Sequence, residues 1–241
     1  MRKIGLLSPV LGLLIGIFSF LIFNQPSTAS ISSKVYINLD DMNKEISRLL
    51  QEDSELGLSS NPYSFIKNNK EYARIVQTGY SALPVIEERI TEGNKFGLDK
   101  YILAIAAEEI AKVNLKKGEY KWSDAEEFVR SWKLHLQSVP GKVQQILNAN
   151  ESSEWKNNKL VELGAPAIPY ILEDIDSGSN ELEPALRKVT FSSQNDSRTG
   201  QSTNLTSEQW KDLHKEDNQI IKSLIKKAAD EKEINKYFRI K

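Results

Sequence analysis

The chain contains no cysteine. A thiol nucleophile, a disulfide framework, a thiolate zinc site and lipid attachment through cysteine are therefore excluded. Histidine is almost as scarce, with His135 and His214 the only 2 in 241 residues. A metal site wants two or more ligands one helical turn apart or converging from neighbouring elements. His214 has Asp217 three residues on, whereas His135 has only Ser131 four residues back. No metal site and no cofactor is expected. An excess of one charge is also missing, since 32 basic and 33 acidic residues leave a net charge of −1. Lys116-Lys117 and Lys226-Lys227 are isolated pairs rather than a basic stripe, so no nucleic-acid partner is expected. There is no Gly-x-Ser-x-Gly elbow, P-loop, dinucleotide fingerprint or EF-hand spacing. Adjacent carboxylates recur at Asp40-Asp41, Glu87-Glu88, Glu108-Glu109 and Glu126-Glu127. Sequential neighbours on a helix point about 100° apart and do not share a site. The acidic groups Glu88 with Glu92, and Glu173, Asp174 and Asp176, read as solvated helix faces, and no catalytic residue is assigned.

What the chain does have begins at its N-terminus. Arg2 and Lys3 precede an uncharged run from Ile4 to Phe23, and Ser27-Thr28-Ala29 supplies the small residues of a signal-peptidase site. A basic lead, an apolar core and such a site read as a signal peptide over residues 1–29, with secretion as the consequence. The run is about 20 residues long, enough to span a bilayer, so an uncleaved single transmembrane anchor is the alternative. In both cases the body of the protein is exported to the cell envelope or beyond. Contact with membrane is then expected only through an uncleaved N-terminal segment. Removing Arg2 and Lys3 with that segment takes the net charge from −1 to −3.

The body, residues 30–241, reads as one all-α domain. Ile31–Ile37 is expected as a short extended lead-in. A first helix is then expected from Leu39, Met42, Ile46, Leu49 and Leu50, started by Asp40 or Asp41 and followed by Gly57. Asn61-Pro62 and Asn68 with Glu71 mark further helix starts. Tyr101, Ile102, Ile105, Ala106, Ile110 and Ala111 make a strongly periodic helix. Ser123 with Glu126 is expected to cap a helix carrying Phe128, Val129, Trp132 and Leu136, closed by Pro140-Gly141 and followed by a separate short helix at Val143, Ile146 and Leu147. Leu182 to Val189 suggests another short helix. Ser192 to Thr206 is a polar stretch without periodicity, and Thr206 with Gln209 starts a last helix through Ala228.

The strongest signal is internal. Arg74 to Pro84 (Arg-Ile-Val-Gln-Thr-Gly-Tyr-Ser-Ala-Leu-Pro) has a near copy at Lys159 to Pro169 (Lys-Leu-Val-Glu-Leu-Gly-Ala-Pro-Ala-Ile-Pro). A constant offset of 85 residues maps Ile75 to Leu160, Val76 to Val161, Gly79 to Gly164, Ala82 to Ala167, Pro84 to Pro169, Ile86 to Ile171, Ile90 to Ile175 and Gly93 to Gly178. Each copy is a short apolar helix, a glycine stop and a second helix with proline in its first turn.

The pattern at Leu163, Gly164, Ala167, Ile168 and Pro169, repeated at Thr78, Gly79, Ala82, Leu83 and Pro84, resembles the loose bacterial form of the HEAT repeat. The resemblance covers about a third of the chain. It implies antiparallel helix pairs stacked as an α-α superhelix, a scaffold that typically binds macromolecules. Two units fall short of the three or more that solenoids need, so a compact helical repeat domain is expected. Its parts are repeats at about 69–111 and 155–190, an insert at 112–154 and a C-terminal helix at 206–230. Some relatives with such repeats are bilin lyases or other enzymes, and no residue here carries that activity over.

The insert holds the aromatic cluster Tyr120, Trp122, Phe128 and Trp132. It packs as core between insert and first repeat, or it forms an exposed patch that anchors a protein or glycan. On the second reading Tyr120, Trp122, Trp132 and the neighbouring His135 are the candidate binding residues. The expected function is an exported, non-enzymatic binding or scaffold module whose partner is another protein or an envelope component. The alternative is an extracytoplasmic enzyme, such as a hydrolase, with a dispersed site between the repeats and the insert. The N-terminal reading has its own check: mass spectrometry of the chain from its native host is expected to find Ser30 as the first residue, and Met1 to Ala29 retained in a membrane fraction would establish the anchor instead.

Overall fold

The computed structural model describes residues 28–52, 61–92, 97–190, 208, 211–212 and 214–239. Among these, every regular element is helical and none is a strand. In chain order the helices are α1 (Thr28–Glu52), α2 (Tyr63–Ile66), α3 (Lys70–Gln77), α4 (Leu83–Thr91), α5 (Leu98–Ala111), α6 (Ala125–Asn148), α7 (Ser153–Leu163), α8 (Ile168–Asp176), α9 (Glu183–Thr190) and α10 (Lys215–Arg239). Short 3-10 turns at Gly79–Ala82, Leu115–Lys117, Ala165–Ala167 and Asn180–Leu182 connect them. The uncharged N-terminal run, Gly57, Gly93, the polar stretch after Phe191 and the Thr206–Gln209 start lie outside the described residues. Among the described residues no helix is long and apolar enough to cross a membrane.

The first helix starts earlier than the periodicity from Leu39 suggests. Val35, Leu39, Met42 and Ile46 are all buried, and their four-three-four spacing forms one stripe packed on α3. The expected extended lead-in at Ile31–Ile37 is therefore helix. Val35 sits one turn before Leu39 on the same buried stripe, so tertiary packing overrides the weak helix preference of its β-branched neighbours. Asp40 and Asp41 are mid-helix rather than caps, and Asp41 pairs with Lys44 on the exposed face.

Two other helix starts move by one residue. Asn69, not Asn68, caps α3, its Oδ1 accepting the amides of Glu71 and Tyr72, while Asn68 takes a left-handed φ of 66°. Asp124, not Ser123, caps α6 by accepting the Glu127 amide at 2.8 Å. The Glu127 carboxylate reaches back to the amide and hydroxyl of Ser123 at 2.9 and 2.7 Å, and these bonds hold its pKa below the usual carboxylate value.

The two copied segments follow the same local course. α4 and α8 have identical bounds under the 85-residue offset, and Gly79 and Gly164 both adopt positive φ, at 71° and 69°. The paired positions Ile75 and Leu160, Ala82 and Ala167, and Ile86 and Ile171 are all fully buried. Gly178, at φ 102°, ends α8. Asn157 ties its unit together: its Nδ2 donates to Ser153 and Glu181 carbonyls, and its Oδ1 accepts the Ala185 amide. One side chain thereby joins α7 to the turn and helix after α8.

The segment expected as an insert is the centre of the packing. α6 touches α4, α5, α7 and α10. It runs unbroken through Pro140, which corrects the expected stop there. An interior proline costs about 3 kcal/mol by losing one backbone hydrogen bond and crowding the preceding turn. Beyond it, however, Val143 and Ile146 extend the buried stripe of Phe128, Trp132, Leu136 and Val139. Burying an aliphatic side chain contributes roughly 1.5–3 kcal/mol each, so continuation of the helix wins.

α10 covers α6 and α8 with Ile221, Leu224, Ile225 and Ala228. It is fastened by a charge cluster around Glu87 of α4, which is only 5% exposed. Lys227 donates to Glu87 at 2.9 Å, Lys133 of α6 lies 3.8 Å from it, and Lys133 also pairs with Glu231 at 2.7 Å. Gln137 of α6 donates to the Ala228 carbonyl at 2.7 Å.

Gly164 marks a close backbone approach between α7 and the end of α5. Its φ of 69° and ψ of −158° lie in a region open only to glycine. A Cβ there would stand 2.5 Å from the Ala111 carbonyl oxygen and 2.6 Å from a Val113 methyl. Gly164→Ala and Gly164→Val are expected to destabilise the protein by roughly 2–5 kcal/mol, from backbone strain and overpacking together. Chemical denaturation measures the loss, and an unfolding midpoint equal to wild type would refute the contact. Gly141→Ala serves as the control, since a Cβ there meets nothing within 4 Å.

Candidate functional site

The close approach at Gly164 brings the end of α7 against the end of α5, and the chain leaving α5 folds over both. Lys112 closes α5 in the left-handed conformation at φ 55°, with the Val113 amide returning to the Glu108 carbonyl at 3.1 Å. Asn114 then caps the Leu115–Lys117 turn by accepting the Lys117 amide. Glu108 anchors this crossing from below. Its buried Oε1 accepts the Leu115 amide at 2.7 Å and the Trp122 indole N–H at 3.0 Å. As neighbours on a helix, Glu108 and Glu109 point to different partners. Glu108 is an interior hub, and Glu109 accepts the Tyr72 hydroxyl at 2.6 Å. Burial and that bond push the Tyr72 phenol well above its ordinary pKa.

Between this crossing, α6 and α7 lies a cavity of about 740 Å³. Its apolar wall includes Val113, Leu115, Tyr120, Ile146, Trp155 and Val161. Four lysines also line it, Lys112, Lys117, Lys142 and Lys159, against two carboxylates, Glu119 and Glu162. Lys142 pairs with Glu119 at 3.1 Å and sits 4.9 Å from the Tyr120 ring centroid. Lys159 pairs with Glu162 at 2.8 Å.

His135 projects from α6 into the inner wall. It is 5% exposed, and its Nε2 is 3.0 Å from the Leu163 carbonyl oxygen. A carbonyl only accepts, so Nε2 carries the proton and the neutral ring keeps Nδ1 as an acceptor. Burial lowers its pKa to about 4; the Leu163 bond opposes the shift and the Lys142 charge adds to it. The ring stacks on Trp132 at 6.0 Å and meets the edge of Tyr120 at 6.4 Å.

The four candidate residues separate. Tyr120 and His135 line the cavity, and Trp122 and Trp132 do not. Trp122 is 5% exposed and Trp132 2%, so neither offers a face to a ligand. Trp122 packs between Tyr101 at 5.0 Å and Phe128 at 5.3 Å, with the Lys116 ammonium 3.8 Å from its ring centroid. Trp122, Phe128 and Trp132 are therefore core, and Trp155, at 36% exposure, joins half-buried Tyr120 as an aromatic residue at the cavity. Its signal in the sequence was faint: a tryptophan in the first turn of a helix, three residues after the Ser152 cap whose hydroxyl accepts its amide.

His214 lies elsewhere, its Nδ1 2.9 Å from Asp217. Among the described residues no group of three or more His, Asp or Glu side chains is placed to hold a metal ion. Compared with known proteins, the chain matches no family model, no curated protein and no solved structure.

His135 gives the site a pH signature. An unfolded histidine titrates near 6.5, and the folded one near 4. Above 6.5 both states are neutral and nothing is lost. As pH falls from 6.5 toward 4 the unfolded chain takes a proton that the folded one refuses, so stability falls. The expected contribution is about 2 kcal/mol lost between pH 7 and pH 5. Urea unfolding of wild type and His135→Gln at both pH values measures it. The same pH dependence in both proteins would show that His135 does not titrate as described.

Proposed function

We propose that the chain is an exported, non-enzymatic binding module of the cell envelope, built on HEAT-like helical repeats, with the cavity between α5, α6 and α7 as its binding site. The repeat reading is supported by two helix–turn–helix segments whose second helices have matching bounds and whose turns each open on a positive-φ glycine. Export is supported by the basic and apolar N-terminal sequence.

One observation favours binding over catalysis. The imidazole in the cavity wall, His135, spends its N–H on the Leu163 backbone carbonyl. A side-chain nucleophile activated by this base would donate to the other ring nitrogen, and among the described residues no hydroxyl donates to His135 Nδ1. The walls combine aliphatic and aromatic side chains with charged and amide groups, and ligand pockets likewise set polar groups among apolar ones. The partner on this reading is a protein or an envelope component that reaches into the cavity.

A photo-crosslinking side chain tests it. With p-benzoylphenylalanine in place of Glu162, on the cavity wall, a defined envelope component is expected to be captured. The same group in place of Leu134, which is 44% exposed and away from the cavity, is expected to capture none of it. Equal capture from both positions would remove the cavity from the function. A hydrolytic activity abolished by His135→Gln with the fold intact would establish the enzymatic alternative.

A further inference from the structure

His135 leaves one polar atom at the cavity without a partner. Its Nε2 proton is held by the Leu163 carbonyl, so the ring's acceptor is Nδ1. No described residue donates to that nitrogen. Among the described residues the enclosed side-chain atoms that lack a partner belong to Asn38, Asn69, Arg89 and Asn218, and Nδ1 is not one of them. An unpartnered nitrogen that is not enclosed meets open space, and the open space that His135 lines is the cavity. Burial, with the Lys142 charge adding to it, keeps the ring neutral, so Nδ1 stays an acceptor.

The charges of the wall are answered from within it. Lys142 pairs with Glu119 at 3.1 Å, and Lys159 reaches both Glu162 oxygens at 2.9 and 2.8 Å. Lys112 has the neighbouring charge of Glu109, and Lys117 is exposed to solvent. A charged ligand would exchange one of these pairs for another or compete with water for Lys117, and such exchanges gain little. A neutral body disturbs none of them. The remaining wall is apolar and partly aromatic, with Val113, Ile146 and Val161 beside Trp155 and Tyr120. Tyr120 meets the His135 ring edge-on at 6.4 Å, and the volume of about 740 Å³ lies in the range of small-molecule sites.

We infer that the cavity receives a neutral ring-bearing alcohol, its hydroxyl donating to Nδ1 of His135 and its ring lying against Tyr120, Val161 and Trp155. The inference rests on the cavity being a binding site and adds the chemical class of its occupant. A hydroxyl supplies the single donor that the site can use and leaves the least polar surface to desolvate. The acceptor is fixed in advance: Trp132 stacks on the ring at 6.0 Å, and the Leu163 bond sets its tautomer. Little ordering of the protein is then left for the ligand to bring about.

The test uses the full chain in its exported form, with its histidine rings labelled with nitrogen-15. The probes are 2-naphthylmethanol, its methyl ether, which cannot donate, and 2-naphthylacetate, which is charged. By calorimetry the alcohol is expected to bind about fivefold more tightly than the ether, the worth of one neutral hydrogen bond. By NMR it is expected to shift the Nδ1 resonance of His135 and leave His214, the other of the 2 histidines, unmoved. The ether is expected to bind without that shift. His135→Phe, which keeps a ring on Trp132, is expected to bring alcohol and ether to one affinity, with helix content by circular dichroism unchanged. Trp155→Ala is expected to weaken both. Equal affinities and an unmoved Nδ1 in the wild-type chain overturn the donor class and leave the cavity as a binding site. Tighter binding of the acid than of the alcohol overturns the neutral class. Failure of every probe to bind, with crosslinking from the Glu162 position retained, overturns a small occupant while the binding module stands. Failure of the probes and of that crosslink together removes the cavity as a site.

Discussion

The bare Cα of Gly164 against the last carbonyls of α5 is the contact on which the remaining geometry depends. A side chain at that point would separate α7 from α5, since the Ala111 and Lys112 carbonyls are backbone and have nowhere to yield. With α7 held close, Leu163 points its carbonyl at His135, and the segment from Val113 to Tyr120 has a floor to cross. The cavity is the space left over when two helix ends meet this closely and a third helix, α6, cannot fill the corner. Its position therefore follows from the same glycine that stops the helix.

Buried polar groups do the joining that sequence-distant helices need. Glu108 collects an amide and an indole from the chain that crosses above it, Asn157 satisfies three backbone groups, and Glu87 gathers two lysines from α6 and α10. Each sits at a place where apolar packing alone would leave backbone or charge unmatched, and leaving such a group unmatched costs more than a made bond contributes. Directional partners also fix register, which a slippery aliphatic contact does not.

Among the described residues helix existence was legible everywhere but at the Ile31–Ile37 lead-in, because the apolar stripes repeat every three or four residues. The doubled segment was legible too, at eight positions in one register. What could not be read were choices between neighbours. Asn68 and Asn69, and Ser123 and Asp124, are each two adjacent residues able to cap. The decision falls to whichever register buries Tyr72 and Phe128, which is a tertiary fact. Pro140-Gly141 carries every local mark of a stop, yet the stripe beyond it has enough to bury to carry the helix through. At the site, Tyr120 and His135 were within reach of sequence reasoning as aromatic neighbours in an unmatched segment. Trp122 and Trp132 were indistinguishable from them, because a core and a binding face draw on the same residue types. The lysines of the cavity were invisible in principle: Lys112 and Lys159 lie far apart in sequence, and only the approach of α5 to α7 unites them.

The fastening of α10 has a bearing on how the chain comes to be folded at all. Its bonds to Glu87 and Gln137 span 140 and 91 residues. A growing polypeptide has displayed nearly all of its apolar surface before Ile221, Leu224, Ile225 and Ala228 exist to cover the outer faces of α6 and α8. Contacts so distant in sequence close late, after the entropy of a long loop has been overcome. Closure of the core thus waits for the segment from Ile221 to Ala228, and a ribosome stalled short of it would hold a helical but sticky intermediate with a carboxylate and an open seam where α10 belongs.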